Sequence, residues 1–328
     1  MLDNSPVSCK SLGTYYGING KLLEEQYAFH LSDFMQWEQF DHAEDWILFP
    51  DNLGKYLSID ETSLSHGELY TVITNKEAKG RKGCLVAMIK GVNSDKVSKI
   101  LKQLPVNKRN QVKEVTLDMA ASMTNIVKQS FPKAVQVTDR FHVQQLASEA
   151  VQQMRIEYRW EAIDQENKEI ELAKEQGKTY IAQKLENGDT LRQLLARSRY
   201  LLFKSQEQWN PSQIHRAELL FERYPLLEKA YKLSRGLAQV YQNTKSKGVA
   251  FTKLAQWYNE VEKAGFKSFN TVSKTIQNHY QTILNFFDNR STNASAESFN
   301  AKIKAFRSQF RGVRNVKFFL FRLSKIYA

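Results

Sequence analysis

From Lys55 onward the apolar residues come in short runs separated by turn-forming residues. Tyr56–Ile59 leads into Asp60, and Leu69–Thr74 is rich in β-branched side chains. A charged stretch from Asn75 to Gly83 separates it from Cys84–Ile89. Short runs of this composition, bounded by Gly, Asn and Asp, predict strands, and three in succession predict an antiparallel meander. The period then changes. Ser94 and Asp95 supply capping chemistry, Val97, Ile100, Leu101 and Leu104 recur at helical spacing, and Pro105 ends the run. Val112–Leu117 predicts a fourth strand. Ser122–Phe131 predicts a helix with Met123, Ile126, Val127 and Phe131 on one side, and Val135–Thr138 a fifth strand.

The order is β-β-β-α-β-α-β. Strands joined through helices pair in parallel, whereas a meander pairs antiparallel. A mixed five-stranded sheet flanked by helices satisfies both, which places residues 55–142 in the α/β class. Over 143–290 strand signals nearly vanish, and Gln-, Glu- and Lys-rich segments of helical period predict an all-α insertion. Trp209 and Trp257 there read as core anchors. Residues 291–328 are again helical. The segment 1–54 is partly helical: Leu22–Trp37 carries Leu23, Tyr27, Leu31 and Phe34 on one face, before a break at Pro50 to Gly54.

Composition narrows the function classes. Of 328 residues, 42% are hydrophobic, ordinary for a soluble globular chain, and the longest apolar cluster, Val316–Leu323, is interrupted by Lys317 and Arg322. Neither a membrane span nor a secretory leader is expected, so cytoplasm is the default. The two cysteines, Cys9 and Cys84, form no Cys-x-x-Cys pair, which disfavours a disulfide framework and a zinc ribbon. The net charge of +12 fits a polyanionic partner, with a merely basic soluble protein as the alternative.

Three carboxylates stand out. Asp60 ends the first strand and Asp118 ends the fourth, so in a sheet where those strands are neighbours both emerge at one edge. Either aspartate alone reads better as a loop cap. As a pair they offer the hard oxygen ligands that Mg²⁺ or Mn²⁺ prefers. Two metal ions need a third carboxylate, and the candidate is Glu297 near the start of the last helical segment. There Phe299, Ile303, Phe306 and Phe310 form the buried stripe. The alternative is that Glu297 complements the helix dipole.

The motifs Asp60-Glu61-Thr62, Leu117-Asp118-Met119, Thr138-Asp-Arg-Phe-His142 and Glu297-x-x-Asn300-x-Lys302-x-Lys304-x-x-Arg307, followed by Gly312, together resemble a DDE transposase of bacterial insertion sequences, the ISL-three-like type. The resemblance runs from about residue 55 to the end. It implies a ribonuclease-H-like core with a helical insertion before the last acid, and metal-dependent strand cleavage and transfer at transposon ends. It also implies a bacterial, nucleoid-associated protein. By motif the catalytic and metal-binding acids are Asp60, Asp118 and Glu297, serving two Mg²⁺ or Mn²⁺ ions. Glu61, Asp139 and His142 are auxiliary. The family's usual N-terminal zinc-binding and helix-turn-helix region is not recognisable in residues 1–54. A separately encoded end-recognition protein is therefore expected.

After Phe299 come eight basic residues, Lys302, Lys304, Arg307, Arg311, Arg314, Lys317, Arg322 and Lys325, and no Asp or Glu. A solvated helix normally mixes signs, so this end is expected to meet DNA phosphates. The contacts assigned are Asn300, Lys302, Lys304, Arg307, Arg311 and Arg314. Expected partners are double-stranded DNA, at transposon ends and target, and a second copy of the chain. Two other readings stay open: a ribonuclease-H-like nuclease that hydrolyses without joining, and a catalytically silent DNA-binding remnant.

Overall fold

The β-branched runs fold as strands β1 (Trp46–Leu48), β2 (Tyr56–Ser63), β3 (Leu69–Asn75), β4 (Leu85–Lys90), β5 (Glu114–Leu117) and β6 (Val135–Thr138). The computed structural model describes residues 1–64, 67–310 and 313–328. The strands form one sheet in the order β1-β4-β3-β2-β5-β6. The β2-β3-β4 meander and the β1–β4 pair are antiparallel, whereas β2–β5 and β5–β6, reached through helical crossovers, are parallel. Among the described residues the sheet thus has six strands, not five. The extra one is a three-residue edge strand, Trp46–Leu48, paired with Ala87–Ile89. It is too short for alternation to show, and its pairing across some forty positions defines it.

Alternation along the strands sorts two cores. Leu57, Ile59, Ile73, Val115 and Leu117 pack with Val97 and Leu101 of the helix Ser94–Leu101 and with Met123, Ile126 and Val127 of the helix Ala121–Ser130. On the other face Tyr70, Val72, Leu85 and Met88 pack with Phe299, Ile303 and Phe306 of the helix Ala294–Gln309. Phe319, Leu320 and Leu323 of the helix Val316–Tyr327 complete that core. Helices therefore cover both faces.

These elements belong to the first of two compact units, Met1–Asp139 with Asn289–Ala328. Residues 1–54 are part of it. The single helix expected over Leu22–Trp37 is instead the helix Gly20–Gln26, a π turn Tyr27–Leu31 and a 3-10 turn Phe34–Gln36. Ser32 breaks it: its backbone is extended (φ −129°, ψ 168°), and its hydroxyl accepts from the Phe34 amide at 3.3 Å. The break lets Tyr27 and Phe34 bury against Phe318 and Phe321 while Leu31 stays exposed. Cys9 and Cys84 are buried free thiols.

The second unit, Arg140–Asp288, is helical. Its main elements are Arg140–Glu175, Leu191–Arg197, Pro211–Arg223, Pro225–Asn243, Lys247–Ala264 and Lys267–Asn278. Trp257 is buried and donates its indole N–H to the Leu233 carbonyl at 2.9 Å, and Trp209 donates to the Leu201 carbonyl at 2.8 Å. Both are anchors of packing. Among the described residues no helix is long and apolar enough to cross a membrane.

Candidate active site

Parallel pairing sets the level of the strand-end acids. Ser58 lies opposite Thr116 in the β2–β5 ladder; two residues further along each chain, in the same register, come Asp60 and Asp118. Leu117 lies opposite Thr138 in the β5–β6 ladder, and the next residues are Asp118 and Asp139. The Asp139 amide donates to the Leu117 carbonyl at 2.9 Å, which holds that register past the strand end. Period-two alternation then directs Asp60, Asp118 and Asp139 to one face. It is the face on which the helix Ala294–Gln309 packs.

That helix is tied to the first acid. Asn300 is buried at 7% exposure, and its Nδ2 donates to Asp60 Oδ2 at 2.7 Å and to the Glu61 carbonyl at 3.2 Å. Asp60 Oδ1 accepts from the Glu61 amide at 2.8 Å. Asp118 Oδ1 accepts from the Ala120 amide at 2.9 Å, fixing the turn after β5. Glu297 lies in the first turn of the helix and is exposed. It precedes Asn300 by three positions, so the two share a side of the helix. Glu61 is half-buried, and burial, then the charges of Asp118 and Asp60, push its carboxyl above the ordinary glutamate range. The Coulomb contributions place Asp60, Glu61 and Asp118 within electrostatic reach of one another.

A second set of polar groups on this face is less expected. Asp139 is 1% exposed, and both its oxygens lack a hydrogen-bond partner. Asn293, fully buried just before the helix Ala294–Gln309, has both amide atoms unpartnered, as is Asn300 Oδ1. Each such group costs about 1–3 kcal/mol if left dry and unpaired, so it persists where a polar partner reaches it. Nearer the strand starts, buried Glu114 accepts from Lys76 Nζ at 3.2 Å and from Asn289 Nδ2 at 3.2 Å; Lys76 also donates to the Thr116 hydroxyl at 2.8 Å. Sequence patterning missed Asn293, Lys76 and Glu114. Glu114 had one local signal, an acid inside an apolar strand; Asn293 and Lys76, outside the strands, had none.

This donor chemistry, carboxylate and amide oxygens without sulfur or imidazole, fits a hard divalent cation. Asp60 and Asp118 come together at the sheet edge. Among the described residues no three His, Cys, Asp or Glu side chains gather closely enough to hold an ion. The motif Thr138–His142 straddles the units: Asp139 closes the first, and His142 lies in the second, half-buried, with Nε2 unpartnered.

Much of the basic tail turns inward. Lys302 Nζ donates to the Gly80 carbonyl at 2.6 Å, and Arg307 donates to the Ser63 and Leu64 carbonyls at 3.0 and 2.8 Å. With Asn300 on Asp60, three side chains assigned to DNA are engaged inside the fold. Arg322 is fully buried, Lys317 lies 4.7 Å from the Phe40 ring centroid, and Lys325 pairs with Asp33 at 2.7 Å. Lys304 and Arg314 are exposed. Arg311 and Gly312 lie outside the described residues.

A family model described as Transposase (DDE_Tnp_ISL3) matches residues 57–323. The transposase for insertion sequence element IS1001 of Bordetella parapertussis is 23% identical over 273 residues, covering 82% of this chain; the chain spans 60% of that relative's length. Among solved structures, the Drosophila P element transposase strand transfer complex aligns over 84% of this chain and 77% of that one, at 14% identity and a TM-score of 0.35.

Proposed function

The chain belongs to the DDE transposase family whose model it matches over residues 57–323, and from that membership we propose that it cleaves and joins DNA strands at insertion-sequence ends. In this reading the first unit holds a ribonuclease-H-like core. The strand order β4-β3-β2-β5-β6 with its parallel β2-β5-β6 trio supports it. The helical unit Arg140–Asp288 is then an insertion ahead of Glu297.

Asp60, Asp118 and Glu297 are the proposed acids, and they would hold two Mg²⁺ or Mn²⁺ ions. Bound there, the metal supplies activation of the attacking oxygen and stabilisation of the leaving one. Asn300 positions Asp60 by donating to Oδ2. Asp139 and His142 are auxiliary. Lys304 and Arg314 would neutralise DNA phosphates, with a second copy of the chain on the same duplex. The observation that carries the proposal is the shared level of Asp60 and Asp118 on neighbouring parallel strands, with Asn300 bonding the helix of Glu297 to Asp60.

Incubating the chain with terminal-repeat duplex, target plasmid and Mg²⁺ tests it. Nicking at the repeat boundary together with covalently joined product is expected, both abolished by chelation. Cleavage without joined product would leave the nuclease reading, and binding without cleavage the silent remnant. Asn300→Ala is expected to raise the Mg²⁺ concentration for half-maximal cleavage roughly 10–100-fold, as losing the partner of a metal ligand does. An unchanged Mg²⁺ dependence would reduce Asn300 to a packing residue.

A further inference from the structure

We infer that Arg155, Arg159 and Arg199 of the helical unit form a cradle for a DNA phosphate, separate from the acids. The inference rests on the reading of the chain as a DNA-acting transposase. Arg155 and Arg159 are four apart on the helix Arg140–Glu175 and so share a side. Arg155 is 5% exposed; its Nε donates to Gln152 Oε1 at 2.7 Å and one terminal nitrogen donates to the Leu195 carbonyl at 2.8 Å. Gln152 Nε2 in turn donates to the Arg199 carbonyl at 3.1 Å. That bond seats Arg199, just beyond the helix Leu191–Arg197, against the same turn of the long helix.

Arg159 and Arg199 lie within electrostatic reach of Arg155. Burial first, then the charges of Arg159 and Arg199, disfavour the ionised form of Arg155, and no carboxylate offsets them. Arg159 Nε is buried without a hydrogen-bond partner. Among the described residues none of the three makes an ion pair. Their neighbours do: Arg192 pairs with Glu166, and Arg197 and Arg216 pair with Asp189. Glu157 and Glu161, the nearest acids in sequence, fall on the opposite side of the helix by its 100° step, and Glu157 accepts from Gln153.

Clustered cations with unused donors match an anion, and planar guanidinium forks match phosphate oxygens best. Aromatic rings stand beside them. Tyr200 is 68% exposed with the Arg199 guanidinium 5.5 Å from its ring centroid, and Trp160, next to Arg159, is 61% exposed. Arginines interleaved with exposed rings are the make-up of a nucleic-acid surface, not of an acidic-peptide site.

The test measures binding of a fluorescein-labelled duplex of arbitrary sequence to the full chain across a salt series. Arg159→Ala with Arg199→Ala is expected to weaken binding roughly tenfold at low salt and to lower the slope of log K against log salt by about two. The double Lys variant should keep the slope, because each charge is retained. The free chain's unfolding midpoint should hold or rise in the Ala variant, since repulsion is relieved. An unchanged slope overturns the inference, and so does a loss of binding accompanied by a fall in the midpoint, which marks a structural role. Competition by polyglutamate with an unchanged DNA slope overturns it in favour of an acidic protein partner. A wild-type chain that binds no duplex overturns the transposase reading as well, whereas wild-type binding with an unchanged slope overturns this inference alone.

Discussion

Asp60→Asn, Asp118→Asn and Glu297→Gln will each reduce Mg²⁺-dependent strand cleavage by roughly a thousandfold or more. A metal ion contributes several kcal/mol of charge stabilisation at the reacting phosphate, and each 1.36 kcal/mol is a factor of ten in rate. If the three acids share the ions as proposed, one missing ligand misplaces what the others hold, so the losses should be similar and a double variant hardly worse than a single. The fold should survive. The introduced amide at position 118 keeps an oxygen for the Ala120 amide, now bonded at 2.9 Å. At position 60 the retained amide oxygen can still accept from Asn300 Nδ2, now bonded to Oδ2 at 2.7 Å. Cleavage of end-repeat duplex, read alongside circular dichroism, checks this. Near-normal cleavage by the Asp118 variant would move the role to Asp139, one strand over in the same register.

Arg322→Ala should cost about 3 kcal/mol of stability, with no separate effect on DNA contact. The guanidinium is fully buried. Its Nε donates to the Leu2 carbonyl at 2.9 Å, and its second terminal nitrogen donates to the Val7 and Ser5 carbonyls at 3.0 and 3.4 Å. The charge also lies 5.4 and 5.7 Å from the ring centroids of Tyr27 and Phe306. Truncation strands carbonyls in a partly dry site, at about 1–3 kcal/mol for each one left unpaired. It also opens a void beside the Tyr27 and Phe306 rings. In a unit of this size that corresponds to a fall of roughly 6–12 °C in the melting temperature. Arg322→Lys should recover part of it, because an ammonium reaches fewer carbonyls. A loss below about 1 kcal/mol in denaturant titration would mean that residues 1–7 contribute little to the folded unit.

Glu297→Gln and Arg322→Ala touch the same C-terminal segment for opposite reasons, and the contrast marks how far local pattern reaches. Strand and helix positions were legible because burial imposes a period of 2 or 3.6 on the chain itself. Leu57 and Ile59 alternate with Ser58 and Asp60, and Phe299, Ile303 and Phe306 repeat along a helix. The strand-end aspartates were legible for the same reason, since an acid closing an apolar run needs no distant partner to be noticed. The three-residue β1 and the break at Ser32 carry no period, and pairing or packing elsewhere defines them.

What a polar side chain does is a different matter, because its partner is chosen by the fold. Asn300, Lys302 and Arg307 sit on a helix that sequence reads as basic and DNA-facing. Packing that helix on β2 and β3 brings the Asp60 carboxylate and the Gly80, Ser63 and Leu64 carbonyls within hydrogen-bond reach. Arg155, Arg159 and Arg199 show the converse. Nothing in their spacing marks them, and only the bond from Gln152 to the Arg199 carbonyl gathers three like charges at one turn. The chain by itself determined the periodic elements and the acids at the sheet edge. The tertiary structure decided which charges meet carbonyls, which meet solvent and which await an anion, because a hydrogen bond depends on a separation of ~3 Å that no one-dimensional spacing encodes.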